Sequence, residues 1–246
     1  MRENKMIKNI EAISDKMPIM FCFPYAGGGA SVYNKWLKLF ENLVTVCPIQ
    51  LPGREDRISD ALYTNMDDFF NDITELIEEV IVGDYYLWGH SMGGRMVYEV
   101  EKKLEKSGYI AKGIFVSGSR APHIIETDPI YHLPDAEFKE RLSRFDGTPK
   151  EILENQMLFD FFLPLLRADF TMDETYKMIN KIKLISPVFG LCGKLDKEAN
   201  QDEMAAWGDY TENSFNLEMF EGGHFFIKEQ EEFVINYIKK VLEGLD

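Results

Sequence analysis

The chain is poor in cysteine, in histidine and in clustered positive charge, and each scarcity narrows what it can do. Its three cysteines, Cys22, Cys47 and Cys192, stand far apart, each within an apolar run. An odd count without close spacing suits neither a disulfide framework nor a zinc site, so reduced core thiols and no metal are expected. Lysine and arginine number 27 against 42 acids, a formal net charge of −15, and they form no block. Phosphate recognition needs clustered cations, so nucleic acid is not an expected partner. No segment approaches the roughly 20 apolar residues of a membrane-spanning helix, and the opening MRENKMIKNIEAISDKM lacks the apolar core of a secretory signal. The expected setting is the cytoplasm, and nothing in the pattern demands more than a monomer.

What is present is enough apolar material for a sizeable core: 246 residues, 45% hydrophobic and 13% aromatic. Strand-like runs fall at Ile19–Phe23, Val44–Ile49, Tyr85–Trp88, Gly113–Ser117, Ser186–Leu191 and Phe215–Phe220. They are mostly continuous rather than alternating in apolar character, as in strands buried on both faces. Helical patterns at Val32–Phe40, Met66–Val82 and Gly94–Lys106 separate several of them, and Glu229–Leu245 closes the chain with another. This alternation predicts an α/β protein with a mostly parallel central sheet flanked by helices, as a single domain over residues 1–246. Arg120–Lys183 breaks the pattern and reads as a helical insertion. Thr148–Glu151 and Thr171–Glu174 each place a threonine three residues before a glutamate, the signature of a capping box, and predict two helix starts there. Within the insertion Phe159, Phe161, Phe162, Leu163, Leu165 and Leu166 exceed what one face of a short helix needs. They read either as a surface over a cleft or as a small satellite core.

The stretch Tyr85–Val100 holds the strongest chemical signal. Gly89-His90-Ser91-Met92-Gly93 is a G-x-S-x-G sequence between a strand-like run and a helical one, a setting in which small residues allow a turn sharp enough to project a serine above the sheet. A serine hydroxyl needs a general base, and the base needs an orienting acid. Of four histidines, His90 adjoins the serine in the turn, His123 and His132 lie in the insertion, and His224 stands in a glycine-loosened loop after the last strand. His224 is the expected base. Chain order in hydrolases with this elbow runs Ser, acid, His, and Asp196 follows a late strand, with Asp202 and Glu203 further along the same loop as the fallback. An oxyanion hole needs two backbone amides. Met92, after the nucleophile, is one; the other is expected from the early loop Phe23–Gly29, at Ala26 or else Tyr25. That glycine run lacks the G-K-[ST] of a P-loop and the spacing of a dinucleotide fingerprint.

In these residues the chain resembles the stand-alone type II thioesterases that serve nonribosomal peptide and polyketide synthetases. The resemblance spans nearly the whole sequence: Phe23–Gly28, Leu51-Pro52-Gly53-Arg54 with Arg57, Gly89–Gly94, Ser117–Pro122, Leu133–Asp135, Gly147–Pro149, Leu166–Asp169 and Gly222–Phe226, in that order. It departs after Asp196, where the family often continues with proline and this chain reads Lys197-Glu198-Ala199. The resemblance implies an α/β-hydrolase fold whose insertion, residues 120–183, is a helical lid. It also implies hydrolysis of acyl groups from the 4′-phosphopantetheine thiol of acyl or peptidyl carrier domains, with no dissociable cofactor. Arg54 and Arg57 are expected either to be structural, the favoured reading because an arginine can satisfy several carbonyls at once, or to help position other loops. Two other readings share the same residues: a general esterase acting on free small substrates, and a catalytically silent hydrolase fold that only binds. At −15 the chain gains no long-range attraction to an acidic carrier domain, so docking would rest on a local patch or on apolar contacts.

Overall fold

The computed structural model describes residues 5–143, 145 and 147–244. Six strands among them form one parallel sheet in the order β2-β1-β3-β4-β5-β6: β1 Ile19–Phe23, β2 Thr45–Pro48, β3 Tyr85–His90, β4 Gly113–Ser117, β5 Val188–Gly193 and β6 Phe215–Phe220. The helices are α1 Asn34–Leu39, α2 Met66–Val80, α3 Met92–Lys106, α4 Asp135–Leu142, α5 Lys150–Glu154, α6 Gln156–Thr175, α7 Gln201–Ala205, α8 Phe226–Glu229 and α9 Glu231–Leu242.

Continuous apolar strands are explained by burial on both faces. Along β1, Ile19, Phe21 and Phe23 enter one core with Leu87, Met96 and Val116, while Met20 and Cys22 point the other way into a second core with Trp36, Trp88 and Phe115. The edge strand β6 differs: its residues alternate between half-buried and exposed until Phe220, as an edge with one free side allows. The helix α3 is buried from Met92 through Glu101, so it runs through the core instead of along the surface.

Several boundaries move for identifiable reasons. The strand expected at Ser186–Leu191 begins two residues later, because Pro187 has no N–H to give a ladder and offers only its carbonyl, which accepts from Ile114. Ile49, expected inside β2, makes an isolated antiparallel bridge to Ile7 instead. The last helical pattern divides at Gln230 into α8 and α9, and its final residue, Leu245, lies outside the described residues.

Between β4 and β5 the chain carries α4, α5 and α6. Of the two predicted helix starts, the first holds to within a residue, with Pro149 ahead of α5. The second fails: Thr171 lies inside α6, where its hydroxyl donates to the Arg167 carbonyl at 2.7 Å, a back-bond that any threonine in a helix can make. Asn155 caps that helix, its side chain accepting from the Met157 and Leu158 amides. The aromatic and leucine surplus divides. Phe159 and Leu166 join Ile130, Phe138 and Leu142 in a satellite core, Phe162, Leu165 and Leu166 line a cavity, and Phe161 is 60% exposed, with Met157 nearby at 81%.

Candidate active site

The turn between β3 and α3 forces Ser91 to φ 55°, ψ −121°, a strained conformation for a residue with a side chain. Close packing around the turn dictates its glycines. A Cβ on Gly89 would stand 2.1 Å from the Gly93 carbonyl oxygen, and one on Gly93 would stand 2.6 Å from that of Phe23. Gly89→Ala is therefore expected to cost about 3 kcal/mol, a fall in Tm of roughly 6–12 °C, since rigid backbone and not a flexible side chain must yield. Gly83→Ala, with nothing within 4 Å of the new atom, is the matched control and should be near neutral in the same thermal melt.

Serine is a favoured N-cap residue, yet Ser91, at the N-cap of α3, makes no capping bond. Its Oγ lies 3.0 Å from His224 Nε2, and His224 Nδ1 lies 2.9 Å from Asp196 Oδ2. The Ser91 amide donates to the Ser117 carbonyl at 2.8 Å, fixing the turn against the end of β4. Asp196 is 5% exposed and sits in the loop after β5. Its Oδ1 accepts from the Glu198 amide at 2.8 Å and the Ala199 amide at 3.1 Å, so this loop is closed by residues 198 and 199 and calls for no N–H at position 197. The structure thus brings Ser91, His224 and Asp196 together. Asp202 and Glu203 are elsewhere employed, in the first turn of α7, where Asn200 and Glu203 form a reciprocal capping box.

The amides expected at the oxyanion hole are differently placed from their neighbours. Met92 opens α3, so its N–H belongs to the first turn, where no intrahelical acceptor exists. In the glycine loop the Gly27 amide donates to Asp169 Oδ2 and the Gly28 amide to the Tyr25 carbonyl, while the Ala26 amide has no acceptor among the described residues. Ala26 lines the Ser91 cavity of about 60 Å³, and Tyr25 does not. A second cavity, of about 390 Å³, lies across the loop under Phe162, Leu165 and Leu166, and it too is lined by Ala26.

The other histidines have separate places. His90 is fully buried, its Nδ1 3.0 Å from Ser117 Oγ and its ring 5.0 Å from that of His224. Burial, then the nearby His224 and Lys228, hold it well below the usual histidine range, which keeps it neutral beside the relay. His123 pairs with the Tyr210 hydroxyl at 2.7 Å. The three thiols are buried and unbonded to one another. Burial raises Cys22 well above its ordinary value and pushes Cys47 and Cys192 up to about 12, with the neighbouring Asp196 a further cause at Cys192.

Arg54 and Arg57 have the carbonyl partners expected of structural arginines, Arg54 at Gly28 and Pro52 and Arg57 at Gln50. What the sequence reading missed is Asp169, the buried partner of Arg54. Its signals were its place at the end of the Leu166–Asp169 stretch that carries the family resemblance and its position as an acid beside apolar residues of α6.

A parallel sheet with an elbow serine at one strand end, a base and an acid in loops after later strands, and a glycine loop after the first strand defines a serine hydrolase of the α/β-hydrolase fold. The Thioesterase domain model matches residues 18–242, and the chain belongs to that family. It is similar to the gramicidin S biosynthesis protein GrsT of Aneurinibacillus migulanus, 34% identical over 241 residues, 97% of this chain and 94% of that protein. It is also similar to the linear gramicidin dehydrogenase LgrE of Brevibacillus parabrevis, 34% identical over 231 residues, 92% of this chain and 88% of that one. Among solved structures, the type II thioesterase BorB from the borrelidin biosynthetic cluster superposes with a TM-score of 0.88 at 28% identity, covering 96% of this chain and 97% of that one.

Proposed function

We propose that this thioesterase removes acyl groups from the 4′-phosphopantetheine thiol of carrier domains in a nonribosomal peptide or polyketide synthetase, returning stalled or misprimed carriers to use. The observation that carries the reading is the Ser91–His224–Asp196 relay, at 3.0 and 2.9 Å, within a chain of the thioesterase family whose relative GrsT is named for gramicidin S biosynthesis.

In the mechanism Asp196 accepts a hydrogen bond from the Nδ1–H of His224, leaving Nε2 to take the Ser91 proton as Oγ attacks the thioester carbonyl. The Met92 and Ala26 amides receive the developing oxyanion. Collapse breaks the C–S bond, and His224 returns its proton to the departing sulfur. Water, deprotonated by His224, then attacks the acyl-serine, and the carboxylic acid leaves as Ser91 regains its proton. A thioester held with its carbonyl at Ala26 has one arm in each of the two cavities that this residue lines. The exposed Met157 and Phe161 of α6 offer apolar contacts to a carrier, which an enzyme of net charge −15 needs in place of long-range attraction. Among the described residues no helix is long and apolar enough to cross a membrane, which suits an enzyme working beside cytoplasmic synthetases.

The test compares an acetyl group on a phosphopantetheinylated carrier protein with the same group on a free thiol. The expected result is faster release from the carrier. Equal or faster hydrolysis of the free thioester would replace this reading with that of a small-molecule hydrolase.

A further inference from the structure

We propose that Arg54 and Asp169 are positioning residues for the oxyanion loop, so that the hydrolytic site is complete only while the C-terminal half of α6 is docked on that loop. The inference rests on the assignment of the Ala26 amide as an oxyanion donor.

The two side chains come from elements 115 residues apart and meet in the interior, Arg54 at 4% and Asp169 at 1% exposure. Their contact is bidentate: Nη1 to Oδ2 and Nη2 to Oδ1, each at 2.7 Å. The pair also grips the glycine loop from both sides of one peptide unit. Asp169 Oδ2 accepts the Gly27 N–H at 2.7 Å, and Arg54 Nη1 donates to the Gly28 carbonyl at 2.8 Å. Gly27 has φ +80°, and a Cβ there would come within 2.9 Å of Leu166, so α6 is seated directly on the loop.

Stability alone does not explain this arrangement. Burying two charges is costly, and a well-packed apolar pair in their place is often neutral or stabilising. An apolar pair cannot, however, accept the Gly27 N–H or donate to the Gly28 carbonyl. A run of three glycines is free to take many backbone conformations, whereas oxyanion donors must be fixed before the reaction, to within about 0.5 Å. Asp169 and Arg54 supply that fixation one residue away from the Ala26 amide. The same half of α6 is tied to α3 by Arg95–Asp173 at 2.8 Å and by the Tyr176 hydroxyl donating to Glu99 at 2.6 Å. The exposed Met157 and Phe161 lie beyond Pro164 on the other half. One helix therefore joins an outward apolar end to the backbone that receives the oxyanion.

The experiment compares wild type, Asp169→Asn and the apolar pair Arg54→Met/Asp169→Leu. Readouts are Tm, kcat and KM on a free acetyl thioester, and inhibition by an alkyl boronic acid, which forms a tetrahedral adduct on serine. Loss of one oxyanion donor costs about 10²–10³ in kcat, and a misaimed donor is expected to lose roughly 10- to 100-fold. Asp169→Asn should show that loss in kcat with KM changed less than about threefold, and a parallel weakening of the boronic acid. The apolar pair should melt near wild type yet stay slow. An apolar pair that recovers stability and kcat together would make the ion pair merely structural, as would an Asp169→Asn enzyme that melts lower but keeps its kcat and its boronic acid affinity. Either outcome overturns the inference while leaving the proposed function intact, whereas a wild-type chain without thioesterase activity would overturn that function instead.

Discussion

Replacing Ser91 with alanine is expected to lower kcat/KM on an acyl thioester by about 10⁶-fold, some 8 kcal/mol of transition-state stabilisation. The loss is large because the serine is the partner toward which the rest of the relay is oriented. With His224 Nε2 3.0 Å from Oγ and Asp196 2.9 Å from Nδ1, removing the hydroxyl leaves the base without the nucleophile it is aimed at. A residual rate of roughly 10³–10⁴ over the uncatalysed reaction should survive from the oxyanion amides and substrate binding. Because the strained backbone at φ 55° belongs to the turn and not to the hydroxyl, the variant should fold and melt like wild type. Rapid hydrolysis by Ser91→Ala, or failure of a fluorophosphonate to label the wild-type serine, would remove Ser91 from the mechanism.

Asp196→Asn is expected to cost about 10⁴-fold in kcat with little loss of fold. The reason lies in the carboxylate's other oxygen. Oδ1 accepts two backbone amides, from Glu198 and Ala199, and only an acceptor fits there. An asparagine must therefore turn its carbonyl toward those amides and its NH₂ toward His224. Nδ1 then becomes the acceptor, the ring proton moves to Nε2, and the imidazole can no longer take the Ser91 proton. Kinetics across a pH range would show depressed kcat at every pH rather than a displaced optimum. An Asp196→Asn enzyme within tenfold of wild type would mean that His224 is oriented by something else.

How far the sequence foretold this site follows from where each constraint acts. The elbow was legible because its sequence pattern is local: Gly89 is needed against the Gly93 carbonyl within one turn, and the apolar run before it is a strand buried on both faces, although Gly93 itself makes room for the distant Phe23 carbonyl. Asp196 and His224 were legible through their places at the ends of strands in chain order. The capping box at Thr171 misled because four residues fit a local pattern by chance, and only the tertiary context of α6 shows that the helix began earlier, at Asn155. Asp169 stood in a stretch that carries the family resemblance, but its role was invisible for the opposite reason. Its roles are defined by Arg54 and Gly27, each more than a hundred residues away, and no local window contains them.

The three buried thiols also bear on the chemistry. Acyl groups migrate between sulfur atoms only through thiolate, and a thiol with a pKa of about 12 presents roughly one part in 10⁵ as thiolate at neutral pH. Cys192 lies near the relay, yet burial and the charge of Asp196 keep its proton on, and no sulfur of the protein competes with Ser91 for an incoming acyl group. The enzyme is in that sense silent to electrophiles aimed at sulfur. A maleimide added to the reaction mixture should count each carrier thiol as it is released, with the working catalyst still present.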